Sequence, residues 1–300
     1  MSILDLVGNT PLIALNHLSA TASGVAILGK AEFMNPSGSV KDRAAKAMVL
    51  DGIARGKLTR EKTLVDATSG NTGIAYAMLG AALNYKVKLF MPQNTSAERK
   101  RIIRSYGAEI VETDALEGSD GAYLAAKALA ASDEDAYFYP DQYNNELNPQ
   151  IHYATTGEEI WRQSDRRITH FVSSVGTSGS FVGCARRLKQ ENAAIKTLMV
   201  QPASPFHGIE GTKHMASSIK PGILDESLQD GVITVTTEEA YAASRLLARR
   251  EGVFVGISSG ANVAAAQRLA ATLPAGSVIV TLLCDTGSRY VSDTFWDEKS

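Results

Sequence analysis

Along most of this chain, apolar runs of strand length alternate with alanine-rich stretches of helical period, and no other feature narrows the fold as far. AILGKAEF precedes SVKDRAAKAMVLDGIARG, TLVDA precedes GIAYAMLGAALN, KVKLFMP precedes AERKRIIRSYG, and EIVET precedes GSDGAYLAAKALAAS. The strand-like runs are continuously apolar rather than alternating, as in strands buried on both faces. With helices between them they predict mostly parallel sheets covered by helices, a three-layer α/β fold. The rhythm pauses over 138–159, where Asn, Pro, Tyr and Thr leave no clear period, and this predicts a crossing between two lobes. It resumes with ITHFVSSV, SGSFVGCARRLKQEN, TLMVQP, EEAYAASRLLARREG, VFVGISSG, ANVAAAQRLAATL and SVIVTLLC. Two α/β lobes are expected. One covers 36–145 with 1–12, the other 146–300 with 13–35, and a ligand site lies between them at the carboxyl ends of strands. The irregular stretch 201–228 reads as a binding loop or lid carrying His207 and His214.

Composition narrows the function. With 44% hydrophobic and 21% charged residues, the 300-residue chain is of ordinary globular type. Thirty Lys plus Arg stand against 32 Asp plus Glu, a net charge of −2 with no long block of like charge. That balance gives no footprint for nucleic acid or anionic lipid and points to small-molecule chemistry. Cys184 and Cys284 sit in separate apolar runs, without a CxxC pair or a Cys/His cluster, so neither a metal site nor a disulfide is expected and both read as packing residues. His152 and His170 read as structural. No stretch is apolar for some 18 residues, and the start MSILDLVGNTPLIAL lacks a basic leader, so no membrane span and a cytoplasmic location are expected.

Four Ser/Thr/Gly-rich segments stand where a strand ends or a helix begins: NPSGSVKDR (35–43), TSGNTG (68–73), GTSGS (176–180) and GISSG (256–260). One such turn alone is an ordinary helix cap. Four together suggest a shared polyanionic ligand, because each offers unpaired N–H groups and a positive dipole end. GVAILGKA (24–31) fits GxxxxGK, but Ala31 occupies the position that requires Ser or Thr, and the interior is strand-like, so a P-loop is rejected; GxGxxG is absent. GISSG matches a nucleophile elbow, yet all five histidines precede Ser258, the wrong order for a hydrolase triad. Lys41 is either a solvated first-turn charge or a Schiff-base lysine placed beside phosphate-binding loops.

In this order and at these spacings, NPSGSVKDR, TSGNTG, GTSGS and GISSG resemble the fold-type II pyridoxal-phosphate enzymes, and among them the cysteine synthases (O-acetylserine sulfhydrylases). The resemblance runs from GNTPL at Gly8 to CDTGSRYVS near the end, and ITHFVSSVGTSGS with CDTGSRY is similar to the B-type enzymes. It implies that Lys41 forms the internal aldimine of pyridoxal 5′-phosphate and that Gly176, Thr177, Ser178, Gly179 and Ser180 cradle the phosphate. Asn71 would meet the cofactor's 3-hydroxyl, and Ser258 its ring nitrogen. Thr68, Ser69, Gly70 and Thr72 would grip the substrate carboxylate, with Gln142 as partner. A neutral hydroxyl at the ring nitrogen makes the cofactor a weaker electron sink, which suits β-elimination better than transamination. The implied reaction makes L-cysteine from O-acetyl-L-serine and sulfide through an α-aminoacrylate, in a homodimer. Cystathionine β-synthase, which shares SVKDR and TSGNTG, is the alternative. B-type enzymes that take thiosulfate, and relatives that take O-phosphoserine, resemble one another in an Arg near the mouth loop. This chain has Glu210, Gly211, Thr212 and Lys213 there, which counts against an anionic second substrate or a phosphorylated donor.

Overall fold

A computed structural model describes residues 1–20, 24–68 and 70–297. Its described strands are β1 (Leu12–Ala14), β2 (Ala26–Lys30), β3 (Thr63–Ala67), β4 (Lys86–Pro92), β5 (Glu109–Thr113), β6 (Tyr137–Phe138), β7 (His170–Ser174), β8 (Lys196–Pro202), β9 (Gly231–Val235) and β10 (Val278–Leu282). The helices are α1 (Asn16–Ala20), α2 (Lys41–Ala54), α3 (Asn71–Leu83), α4 (Ala97–Ser105), α5 (Gly118–Ser132), α6 (Leu147–Ile151), α7 (Glu158–Gln163), α8 (Gly179–Glu191), α9 (Thr237–Leu246) and α10 (Ile257–Ala270). The larger sheet has the order β1-β2-β10-β7-β8-β9 and is parallel except for β1. The smaller, β5-β4-β3-β6, is parallel throughout.

Continuous apolar strands arise because successive residues feed cores on opposite faces. In β7, Phe171 belongs with Phe181 and Leu188 of α8, whereas Val172 belongs with Ala240 of α9 and Ala265 of α10. In β3, Leu64 joins Met48 of α2 and Leu79 of α3, and Val65 joins Ala122 and Ala126 of α5. The GVAILGKA segment is strand β2, and its Lys30 is buried.

At three places the structure goes beyond or departs from the local sequence pattern. Much of the aperiodic stretch 138–159 is helical: α6, a wider turn with π-type hydrogen bonds over His152–Gly157, and α7 follow one another without a break. Pro149 stands in the first turn, where a proline removes no helical bond. Gly183 of α8 leaves no room for a Cβ beside the Pro149 carbonyl and His152, so close packing stabilises a segment of low intrinsic propensity. GVITV, which the rhythm passes over, forms β9, the edge of the large sheet, with alternating burial. The VFV run at 253–255 joins no sheet; Val255 makes only an isolated bridge to Thr286.

Two cations and two carboxylates are buried where the sheets meet the start of α2. Arg43 Nε and Nη2 donate to Glu32 at 2.8 and 2.7 Å, and Nη1 and Nη2 donate to Glu159 at 2.7 Å each. Lys30 Nζ lies 2.7 Å from Glu159 and donates to the Thr10 carbonyl at 2.5 Å. Thr10 Oγ1 donates to Glu32 at 2.6 Å, so the desolvated charges are paired and hydrogen-bonded. Burial alone would raise the Glu32 pKa, but the charge and hydrogen bonds of Arg43 outweigh it and hold the carboxyl at about 2 against an ordinary 4.5. Because this carboxyl titrates lower folded than unfolded, its stabilisation is complete above pH 4.5 and disappears as pH falls through about 2. Urea denaturation across that range should find Glu32→Gln less stable than the wild type by about 3 kcal/mol at pH 7, with the gap closing in acid.

Candidate active site

Five helices of the two layers, α2, α3, α5, α8 and α10, begin around one cleft, and the carboxyl ends of β3, β7 and β10 reach the same place. The cleft measures about 810 Å³ including the solvent at its mouth. Its walls include Lys41, Thr68, Asn71, Thr72, Gln142, Gly176, Thr177, Ser178, Ser180 and Ser258, ten positions singled out in the sequence and drawn from segments more than two hundred residues apart. Gly70 and Gly179, each next in sequence to a lining residue, do not line the cleft themselves. Ser69 lies outside the described residues.

The GTSGS turn is shaped by what its glycines admit. Ser178 is in the left-handed region at φ +70°, and this aims the first turn of α8, whose opening N–H groups have no helical acceptors, into the cleft. The Ser178 hydroxyl oxygen is buried and has no hydrogen-bond partner among the described residues. A Cβ on Gly179 would strike the Asn148 side chain, and one on Gly176 would strike the Gly211 carbonyl. Asn148 braces the turn from behind, donating to Thr177 Oγ1 at 3.1 Å and to the Gln142 carbonyl at 2.9 Å. Asn148 was not singled out in the sequence; the NNELN run that contains it gives no periodic signal.

Lys41 opens α2 and extends into the cleft, where its amine makes no hydrogen bond or ion pair among the described residues. Burial pulls its pKa below the usual lysine range, and the charges of Cys284 and Asp285 oppose this. Lys41 thus faces the cleft and is only partly exposed. Thr68 Oγ1 accepts from the Gly70 and Gly73 amides at 2.9 and 3.0 Å, capping α3, and still has its own proton to donate. Gln142 donates to the Ala67 carbonyl at 2.7 Å and accepts from Thr72 Oγ1 at 2.8 Å, which ties the two edges of that wall. Gly70, at φ +143°, permits Arg99 to lie against the loop.

Cys284 is packed in the core as the sequence predicts and, two residues beyond β10, it also reaches the cleft wall; burial raises its pKa to about 11. Cys184 is packed in the core as expected. His152 is buried beside Thr156 at 2.8 Å, and burial lowers its pKa to about 3; neither His207 nor His214 lines the cleft. The mouth is formed by Gly211, Thr212 and Lys213. Lys213 Nζ donates to Asp120 at 2.5 Å and to the Ile219 carbonyl at 3.2 Å, and it lies 4.9 Å from the centre of the Tyr143 ring. Glu210 is paired with the buried Arg99 of α4. Among the described residues there is no cluster of side chains suited to a metal ion, and no helix long and apolar enough to cross a membrane.

Known proteins resemble this chain along nearly its whole length. Residues 3–285 match the family described as pyridoxal-phosphate dependent enzyme. The cysteine synthase of Aquifex aeolicus is 49% identical, over 99% of this chain and 93% of that protein. Cysteine synthase B of Salmonella typhimurium is 43% identical, over 98% of this chain and 95% of its own length. The crystal structure of the O-acetylserine dependent cystathionine beta-synthase from Helicobacter pylori has a TM-score of 0.92 and 34% identity, covering 99% of this chain and 98% of that one. With the family matched across nearly its whole length and these relatives aligned end to end, the chain belongs to the pyridoxal-phosphate-dependent enzymes.

Proposed function

We propose that this enzyme makes L-cysteine from O-acetyl-L-serine and sulfide, with pyridoxal 5′-phosphate held between Lys41 and the GTSGS turn. The observation that carries the reading is the Lys41 amine, without a partner among the described residues, in the same cleft as a helix-start cradle whose Ser178 hydroxyl likewise lacks one among them. A phosphorylated aldehyde fits both ends: the cradle offers N–H donors and hydroxyls to the phosphate, and the amine meets the aldehyde. Bound there, the cofactor supplies the electron sink that lets an amino acid lose its α-proton and then its β-substituent.

The remaining roles belong to the chain. Lys41 is the group that removes and returns protons at the substrate's α-carbon, and its lowered pKa makes the neutral amine accessible. Gly176, Thr177, Ser178, Gly179 and Ser180 hold the phosphate; Asn71 and Ser258 meet the 3-oxygen and the ring nitrogen. Thr68, Ser69, Gly70 and Thr72, braced by Gln142, receive the substrate carboxylate at the start of α3, where the dipole favours an anion. At the mouth, Lys213 is already paired with Asp120, and the neighbouring loop residue Glu210, which does not line the cleft, is paired with Arg99. This supports an acetylated donor and sulfide over O-phosphoserine or thiosulfate. We further propose that 1–12 with 36–145 and 13–35 with 146–300 act as two lobes around the cleft, that the enzyme works as a homodimer, and that it is cytoplasmic, where its two buried free thiols stay reduced.

Cysteine formation should be measured with O-acetylserine and sulfide, beside O-phosphoserine with sulfide, O-acetylserine with thiosulfate, and serine or O-acetylserine with homocysteine. Preference for the first pair is the expected result, whereas preference for homocysteine would move the assignment to cystathionine β-synthase. Lys41→Ala should lower turnover at least 10²–10⁴-fold, and normal steady-state turnover in that variant would refute its role. Gly179→Ala should weaken cofactor binding about ten-fold or more in a fluorescence titration, because the new Cβ must displace Asn148 and with it the phosphate turn.

A further inference from the structure

The segment CDTGSRY contributes more to the site than the cleft wall at Cys284. Asp285 and Arg289 are both buried, and neither lines the cleft. Both grip Asn71. Asn71 Nδ2 donates to Asp285 Oδ2 at 2.8 Å, and Arg289 Nη1 donates to Asn71 Oδ1. A carboxylate only accepts and a guanidinium only donates, so this pair dictates which way the Asn71 amide points. A flipped amide would set its N–H against Arg289 and its oxygen against Asp285, turning two charge-assisted hydrogen bonds into two repulsions. The partners are themselves held. Tyr290 OH donates to the same Asp285 oxygen at 2.8 Å, the Gly256 amide donates to the Asp285 carbonyl at 3.0 Å, and Arg289 also donates to the Ser37 carbonyl, just before Lys41.

We propose that Asp285 and Arg289 are positioning residues that lock the Asn71 amide with an N–H, rather than its carbonyl, turned toward the cleft. Of the two amide hydrogens one is committed to Asp285, and the other is left for a ligand in the cleft that Asn71 lines. Under the reading above, on which this inference rests, that ligand atom is the cofactor's 3-oxygen. A locked donor stabilises its ionised form, whereas a flipped carbonyl would stabilise the protonated hydroxyl.

The bound cofactor reports this directly, because the ionised and protonated forms absorb at longer and shorter wavelength. The holoenzyme should be compared with Asp285→Asn, Asn71→Ala and the double variant, each with circular dichroism to check the fold. Asp285→Asn keeps the shape but lets the Asn71 amide turn over, so the ratio of long- to short-wavelength absorbance should fall about ten-fold. In the Asn71→Ala background the same substitution should change it little, since Asp285 acts through Asn71. Arg289→Lys, which keeps the charge but shortens the reach, should lower the ratio in the same sense and serves if Asp285→Asn does not fold. An unchanged ratio in folded Asp285→Asn and Arg289→Lys would overturn the inference. So would an equally large fall from Asp285→Asn without Asn71, because Asp285 would then act on the cofactor directly. Wild-type protein that gains no visible band with added pyridoxal phosphate would refute the cofactor reading instead, so the two failures are distinguishable.

Discussion

The structure is organised around the guanidinium of Arg43, held between Glu32 and Glu159 in the dry interior. This one side chain joins the turn that follows β2, the first turn of α2 and the start of α7. Lys30 and Thr10 complete the pairing from the large sheet and the N-terminal segment. Charges buried in this way cost several kcal/mol each unless geometry and hydrogen bonding compensate. Here every carboxylate oxygen of the pair is contacted, and the Asn9 amide adds a further bond to Glu159 at 3.0 Å. Because Arg43 lies two residues beyond Lys41, the network also fixes where α2 begins, and the beginning of α2 is where the amine enters the cleft.

The cleft is electrostatically consistent with that placement. Helix starts carry partial positive charge, and five of them open onto one volume, which favours a ligand with several negative groups. A lysine at the head of a helix is disfavoured by the same dipole, and burial adds to the penalty, so the Lys41 amine is more readily neutral than an ordinary lysine. A lysine sited where its charge is least welcome suits the proton-transfer role proposed for Lys41. The mouth has the opposite character, since its cation, Lys213, is already neutralised by Asp120.

Much of the site was legible because its parts are local. A Gly-rich turn at a helix start is visible as sequence wherever it occurs, and four of them in order carried the family resemblance before any geometry was known. What escaped notice acts from a distance. Asn148 lies in a polar stretch whose helix is stabilised by packing on α8, and nothing in NNELN announces that it will brace a turn thirty residues away. Cys284 was visible as the end of an apolar run, and the rule that ligands gather at carboxyl ends of strands would have placed it on the cleft wall. GVITV carried a β-branched signal, yet as an edge strand it is only half buried and breaks the continuous pattern that marked the others.

By itself, the sequence determined the α/β architecture, the positions of most strands and helices, the absence of a P-loop, and the turns able to hold a phosphate. These follow from periodicity and from the conformations that Gly, Ser and Thr permit within a few residues. The tertiary structure alone decided that ten of those positions share one cleft, that 147–163 is helical, that Lys213 and Glu210 are already paired, and that Asp285 and Arg289 grip the Asn71 amide. Each of these depends on contacts between residues far apart in the chain. Burial, which sets the strength of a charge and the cost of leaving it unpaired, does not exist until the chain has folded.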